Sequence, residues 1–362
     1  MRVERHVSGR PRRSSRPHRP GVEALDARQL LSGFGAGAGG HNYFVLHSEQ
    51  VALSAGAAHV GHHGLHGGIG AGGGARVISN LTYTAPRMAP EHLDLYLPAG
   101  TPPAGGWPVI LAFPGGGWRW ASRQQYGEQV AVLTKAGFAV AGVDYAYAGS
   151  TPNGTHNWPV PLEDAQQAVR WTREHAGAFH LNPNEIVAMG DSAGANLALL
   201  LGTYPAGPVQ TDSPPSGPTA DTSPVSDKVQ AIVDFYGPTD LTALYNESRT
   251  AVLPYFDTYL GGNPAQYPGR YAAASPMTYL NSNTPPVLIV QGLADDTNLP
   301  SQSTSLDAAL TRAGVPHQLI TVSWATHGFG LDLVGFNFTS DVANFLHAAL
   351  KGEPIPETVP NP

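Results

Sequence analysis

Cysteine is absent from all 362 residues, and charged residues make up only 13% of them. The lack of cysteine excludes disulfides, thiolate metal sites and a cysteine nucleophile, although it does not decide the compartment. No apolar run approaches the roughly 18 residues that a transmembrane helix needs. The composition therefore predicts that no segment spans a membrane. It also predicts that any chemistry depends on side chains other than thiols.

The net charge of −7 conceals an asymmetry along the chain. Residues 1–28 carry eight arginines against three acidic residues, a net of +5, whereas the remainder carries −12. An acidic domain has no electrostatic reason to bind nucleic acid, and a short Arg/Pro/Ser segment is typical of a disordered arm. We therefore expect no nucleic-acid partner.

The N-terminal region is basic, but no apolar core of about 7–15 residues follows it, so an ordinary signal peptide is not evident. Residues 22–32 resemble a short N-terminal element that is found on many predicted extracellular bacterial proteins. We therefore interpret residues 1–32 as a basic arm with an export element. This interpretation favours an extracellular or cell-surface location over a cytoplasmic one.

Residues 33–78 are rich in glycine, alanine and histidine, and we interpret them as a disordered linker. Four histidines in this segment (His59, His62, His63 and His66) are either metal ligands or part of a solvated polar tract. Glycine-rich surroundings offer no rigid scaffold for a metal site, which favours the solvated tract. We expect neither a metal nor another cofactor.

Residues 79–351 have the pattern of an α/β domain. Strands are predicted at 80–84, 92–97, 108–113, 138–144, 185–190, 230–236, 286–291 and 318–323, and helices at 122–136, 161–178, 193–203, 302–313 and 338–350. Leading strands followed by strand–helix alternation predict a mostly parallel sheet with helices on both faces. Residues 204–228 are predicted to form a surface insertion, 241–282 either a cap or a packed loop, and 352–362 a proline-rich tail.

A serine stands where one of these strands turns into a helix. Gly190, Asp191, Ser192, Ala193 and Gly194 follow the apolar run 185–189 and precede the helical run 195–201. A serine at such a turn, with glycine two residues away on either side, is typical of a nucleophile elbow. The alternative is a structural Gly-Ser turn. The strand–helix setting favours Ser192 as a nucleophile.

A serine nucleophile needs a base and a carboxylate that orients the base, and in this fold they follow the serine in the order acid, then histidine. Asp295 and Asp296 follow the apolar strand 286–291, and His327 follows the strand 318–323. The carboxyl ends of these strands lie at the edge of the sheet where catalytic groups gather. His327 is the candidate base, and Asp295 is preferred over Asp296 for its G-x-x-D spacing.

The oxyanion hole needs N–H groups aimed at the developing negative charge. Ala193 follows the nucleophile, and a run of three glycines, which includes Gly116 and Gly117, follows the strand 108–113. The expected donors are therefore Gly116, Gly117 and Ala193. Four aromatic residues either line a substrate pocket or belong to the core: Trp118, Trp120, Tyr145 and Trp158.

From about residue 80 to 350 the chain resembles α/β-hydrolases of the hormone-sensitive-lipase-like esterase group, and in particular bacterial feruloyl-esterase-like and acetyl-xylan-esterase-like carboxylesterases. The resemblance rests on residues 92–98, 115–118, 143–145, 158–159, 162–164, 190–196, 234–240 and 274–276 and on the loops of Asp295 and His327. It implies a serine carboxylesterase that forms an acyl-enzyme on a small-molecule or carbohydrate ester, without a cofactor.

Three departures accompany this resemblance. Pro114 stands where the family's oxyanion loop usually opens with histidine, Gln291 precedes Gly292 where the family usually has histidine, and Asp296 follows the candidate acid. An amidase or peptidase on the same fold and a catalytically inactive surface protein remain alternatives.

Overall fold

The computed structural model describes residues 75–84, 91–120, 122–149, 158–205, 224–330 and 338–355. The strands are β1 (Arg76–Thr82), β2 (His92–Leu97), β3 (Trp107–Phe113), β4 (Ala139–Val143), β5 (Leu181–Asp191), β6 (Ala231–Phe235), β7 (Val287–Gly292) and β8 (His317–Val322). The helices are α1 (Gly127–Lys135), α2 (Val160–Phe179), α3 (Ala193–Thr203), α4 (Leu241–Glu247), α5 (Leu253–Leu260), α6 (Pro268–Ala273), α7 (Pro300–Ala313) and α8 (Phe338–Lys351), with a 3₁₀ turn at Pro276–Thr278.

The strands form one sheet in the order β1-β2-β4-β3-β5-β6-β7-β8. β2 pairs antiparallel with both β1 and β4, and all the remaining pairs are parallel. The prediction of a mostly parallel α/β sheet is therefore confirmed. Because β5, β6, β7 and β8 are parallel neighbours, the loops that leave their carboxyl ends share one edge of the sheet.

Two apolar layers cover the sheet, one on each face. Side chains of α2, α3 and α7 pack on one face together with those of α4, α5 and α6, and side chains of α1 and α8 pack on the other. All residues of β4, β6 and β7 are buried, which explains why these strands read in the sequence as nearly continuous apolar runs.

Three element boundaries differ from the predictions by more than two residues. β1 begins at Arg76, inside the segment assigned to the linker, because Arg76 pairs with Leu97. β5 begins at Leu181, which pairs with Trp107. Helix α1 begins only at Gly127 rather than at residue 122. The main-chain N–H of Arg123 donates to the Asp144 carboxylate, and this bond holds the turn that precedes Gly127 outside the helix.

Residues 241–282 contain the three short helices α4, α5 and α6, which were not predicted individually. Phe256, Tyr259 and Tyr271 of this segment are buried in the core, and Tyr255 reaches the glycine loop that follows β3. The segment is therefore packed against the domain and also forms a wall beside that loop.

Several predictions concern residues outside the described ranges. They are the basic arm 1–32, nearly all of the linker 33–78 with its four histidines, most of the insertion 204–228, and most of the tail 352–362. Within the ranges that the structure describes, no helix is both long enough and apolar enough to cross a membrane.

Candidate active site

Ser192 lies at a sharp turn between the last residue of β5 and the first residue of α3. Its backbone has φ 51° and ψ −119°, a conformation that a residue with a side chain adopts only when its surroundings hold it. The N–H of Ser192 donates to the carbonyl of Phe235 at 2.9 Å. A Cβ on Gly194 would lie 1.9 Å from the carbonyl oxygen of Phe113, so glycine at this position is a packing requirement.

Ser192, His327 and Asp295 form a hydrogen-bonded chain. His327 Nε2 lies 3.0 Å from Ser192 Oγ, and His327 Nδ1 lies 2.8 Å from Asp295 Oδ2. The other carboxylate oxygen of Asp295 accepts the N–H groups of Thr297 and Asn298, both at 2.9 Å. The Asp295 side chain is fully buried, whereas the imidazole is 23% exposed. The carboxylate is thus shielded from water while the imidazole remains accessible.

Asp296 turns away from this chain. Its side chain is 62% exposed, and Oδ1 accepts a hydrogen bond from Nη2 of Arg249 at 2.7 Å. Of the two aspartates that the sequence left as candidates for the acid, only Asp295 contacts His327 in the structure.

The glycine loop after β3 faces the turn that carries Ser192. Gly116, Gly117 and Trp118 have φ values of 121°, 60° and 57°, so three consecutive residues lie in the left-handed half of the backbone map. A Cβ on Gly117 would lie 2.4 Å from Cδ1 of Tyr255, which shows how closely α5 approaches this loop. Ala193 opens α3, whose N-terminal end carries partial positive charge.

Asp191 joins the glycine loop to the turn that carries Ser192, and sequence reasoning did not identify it as part of the site. Its carboxylate accepts the N–H of Gly115 at 3.0 Å, the amide of Gln125 at 3.2 Å and the hydroxyl of Tyr126. Burial raises the pKa of Asp191, and the hydrogen bonds from Tyr126 and Gly115 oppose that rise. The residue before Ser192 thus anchors the loop opposite it.

Pro114, which departs from the family pattern, is held from the side of β4. The hydroxyl of Tyr145 donates to the carbonyl of Pro114 at 2.8 Å. This bond, together with that between Gly115 and Asp191, ties the start of the loop at two successive residues.

The four aromatic candidates for a substrate pocket occupy different environments. Trp118, Tyr145 and Trp158 are buried, whereas Trp120 is 52% exposed. The indole of Trp118 stacks on Tyr259 of α5 with ring centroids 4.3 Å apart, and Trp158 meets the same tyrosine edge-on at 5.9 Å. Three of the four are thus core residues behind the glycine loop, and Trp120 is the one that solvent reaches.

A second residue that sequence reasoning missed is Tyr236, directly after β6. It is 2% exposed, has φ 44°, and its ring lies 4.9 Å from the ring of His327. The apolar run of β6 was sufficient to locate the end of the strand. No sequence pattern indicated that the side chain of Tyr236, which follows it, contacts His327, 91 positions later in the chain.

Comparison with known proteins supports the fold and identifies a family. The sequence profile of the BD-FAE family matches residues 93–310. Esterase LipQ of Mycobacterium tuberculosis is 30% identical over 253 residues, which are 69% of this chain and 56% of LipQ. The chain thus spans little more than half the length of that relative.

Solved structures of esterases have the same fold. An acetyl ester-xyloside bifunctional hydrolase from Caldicellulosiruptor lactoaceticus aligns with a TM-score of 0.59 at 25% identity, over 73% of this chain and 90% of that one. Thermogutta terrifontis esterase 2, in a form phosphorylated by paraoxon, aligns with a TM-score of 0.57 at 26% identity, over 78% of this chain and 96% of that one. Since the family profile matches more than half of the residues of this chain, the chain belongs to the BD-FAE family of α/β-hydrolase carboxylesterases.

Proposed function

We propose that the protein is a serine carboxylesterase that works through an acyl-enzyme. The observation that carries this proposal is the continuous contact from Ser192 Oγ to His327 Nε2 at 3.0 Å and from His327 Nδ1 to Asp295 Oδ2 at 2.8 Å. A serine hydroxyl becomes a nucleophile when a neighbouring imidazole takes its proton, and a buried carboxylate stabilises the imidazolium that forms.

In the first half of the reaction, Ser192 Oγ bonds to the ester carbonyl carbon while its proton passes to His327 Nε2. The carbonyl oxygen becomes an oxyanion that accepts hydrogen bonds from the N–H groups of Gly116, Gly117 and Ala193. Donors fixed in advance stabilise this charge because they need no reorganisation during the step. Collapse of the intermediate breaks the bond to the alcohol, which takes the proton from His327 and leaves an acyl-serine.

In the second half, His327 removes a proton from water, and the resulting hydroxide attacks the acyl-serine carbonyl. The same N–H groups hold the second oxyanion. Its collapse breaks the bond to Ser192 Oγ, which recovers the proton from His327, and the carboxylic acid leaves. The 23% exposure of the imidazole favours this half, because water must reach His327 for deacylation.

For the substrate we propose small carboxylic esters, including acetyl or feruloyl esters of plant polysaccharides. Support comes from the likeness to an acetyl ester-xyloside hydrolase and from a 25% identical acetylxylan esterase of Xylanibacter ruminicola. The exposed Trp120, three residues beyond Gly117, offers an aromatic face to a sugar ring.

Hydrolysis of p-nitrophenyl acetate by the full chain tests the activity. We expect turnover with a pre-steady-state burst of p-nitrophenol, loss of activity to background in Ser192→Ala, and normal activity in Ser305→Ala, an exposed serine on α7. A folded wild-type protein that leaves acetyl, butyryl and feruloyl esters intact would contradict the proposal. Cleavage of p-nitroanilides instead would identify an amidase.

A further inference from the structure

The end of β6 is connected to every member of the proposed triad, in the case of Asp295 through Asn298. The carbonyl of Phe235 accepts the N–H of Ser192 at 2.9 Å. The carbonyl of Tyr236 accepts Nδ2 of Asn298 at 2.8 Å, and the N–H of Asn298 donates to Asp295 Oδ1. β6 lies between β5, which leads to the nucleophile, and β7, which leads to the acid. The consecutive residues Phe235 and Tyr236 therefore connect the turn that carries Ser192 to the loop that carries Asp295.

Tyr236 also connects to the base. Its ring lies 4.9 Å from the imidazole of His327 in a T-shaped arrangement, with 65° between the ring planes. Its hydroxyl donates to the carbonyl of Phe329, two residues beyond His327, at 2.6 Å. The ring thus packs against the imidazole while the hydroxyl holds the loop that carries it.

The backbone of Tyr236 is strained to make these contacts. A φ of 44° is unusual for a residue with a bulky side chain, and such conformations persist only where the surrounding structure enforces them. The N–H of Tyr236 donates to the carbonyl of Val290 in β7 at 2.9 Å, which fixes the residue from the other side.

We propose that Tyr236 is a positioning residue that sets the distance and orientation of the His327 imidazole relative to Ser192 Oγ. Its hydroxyl is buried and engaged with a main-chain carbonyl, so it exchanges no proton with the substrate. It acts through His327 because a displaced base takes the serine proton less readily, and a shift of about 1 Å at a reacting group can lower a rate about 100-fold. This inference rests on the proposed function.

Two substitutions separate the contributions of the hydroxyl and the ring. Tyr236→Phe removes the hydrogen bond to Phe329 and keeps the ring. Tyr236→Asn removes the ring but tolerates the left-handed backbone, so the change does not add strain. Tyr83→Phe is the matched control, since Tyr83 is also buried and its hydroxyl donates to a main-chain carbonyl, that of Asp144 beside β4.

On p-nitrophenyl acetate we expect kcat to fall about 10-fold in Tyr236→Phe and about 100-fold in Tyr236→Asn, with KM within about twofold of the wild-type value. Tyr83→Phe keeps kcat. The downfield proton NMR signal of the imidazole Nδ1–H of His327 gives a readout that does not depend on turnover. It is sharp in the wild type, weaker in Tyr236→Phe and lost in Tyr236→Asn.

The outcomes distinguish this inference from the proposed function. A folded Tyr236→Phe with wild-type kcat and an unchanged Nδ1–H signal overturns the inference while the esterase remains. An inert wild-type protein overturns the proposed function, and the NMR signal then still tests whether Tyr236 positions the imidazole. Should Tyr236→Asn fail to fold by circular dichroism, the phenylalanine variant decides alone.

Discussion

The main-chain N–H of Gly115 donates to Oδ1 of Asp191 at 3.0 Å, so the residue before the proposed nucleophile holds the loop that faces it. The two residues are 76 positions apart in the chain and lie at the ends of adjacent strands β3 and β5. The distance between Ser192 and the proposed oxyanion donors Gly116 and Gly117 therefore depends in part on this carboxylate.

Replacement of this carboxylate is expected to loosen the glycine loop. In Asp191→Asn one of the carboxylate oxygens that face Gly115, Gln125 and Tyr126 becomes an NH₂ donor. We expect kcat on p-nitrophenyl acetate to fall about 10-fold, equivalent to roughly 1.4 kcal/mol of transition-state stabilisation. Steady-state kinetics measures this change, and Asp307→Asn on α7 serves as the control. Equal kcat values in the two variants would exclude this role of Asp191.

The adjacent aspartates 295 and 296 provide a matched pair of substitutions. Asp295→Asn removes the carboxylate that orients His327, and we expect kcat to fall by a factor on the order of 10⁴, as for a triad that loses its acid. Asp296→Asn removes only an exposed ion pair with Arg249, and such pairs contribute little, so kcat stays within about twofold. Kinetics of both variants on one ester makes the comparison. A large loss in Asp296→Asn would reassign the acid.

The contact between Tyr255 and Gly117 predicts a limit on substrate size. Because the ring fills the space beside the loop, Tyr255→Ala opens room for a longer acyl chain. We expect the ratio of kcat/KM for the p-nitrophenyl butyrate ester to kcat/KM for the acetate ester to rise about 10-fold. A change of this size lies within the discrimination that a few methylene groups give in a hydrophobic pocket. Tyr267→Ala is the control, since Tyr267 is also half-buried with an arginine over its ring. An equal rise in both variants would contradict this assignment.

Asp234 in β6 is expected to make stability depend on pH. Burial raises the pKa of this carboxyl from 3.8 to about 7, while the N–H of Gly237 donates to Oδ1 at 2.7 Å. Between about pH 4 and about pH 7 the Asp234 carboxyl keeps its proton in the folded state and has lost it in the unfolded state. The contribution of Asp234 to stability therefore falls as pH rises through this range. Above the folded pKa, this contribution is lost.

Asp234→Asn removes that dependence, because the amide stays neutral and keeps the acceptor for Gly237. We expect the Tm of the variant, relative to the wild type, to be higher at about pH 8 than at about pH 5. Thermal unfolding followed by circular dichroism at both pH values measures the difference. Glu91, whose pKa burial also raises to about 7, contributes in the same direction in both proteins and cancels in the comparison. A difference that does not change with pH would mean that Asp234 is ionised when folded.

Sequence patterns were sufficient to predict the parallel sheet and to identify the three residues that form the hydrogen-bonded chain. The strands β6 and β7 are buried on both faces and therefore read as apolar runs, and Ser192, Asp295 and His327 follow strand ends in a characteristic order. Asp191 and Tyr236 were not identified as functional, because their roles depend on contacts across the sheet that local sequence does not encode. Helices α4 and α6 are too short for a periodic pattern to emerge.

Ser192 and His327, whose side chains meet at 3.0 Å, are 135 residues apart in the chain. Contacts of such separation form slowly, since the entropy of closing the intervening chain must be overcome before the strands can pair. On refolding, the G-x-S-x-G turn is complete once β5, β6 and α3 have assembled, yet it meets its base only when β7 and β8 have docked. We therefore expect recovery of the proposed esterase activity to follow the docking of β7 and β8 and to lag behind the burial of the centre of the sheet.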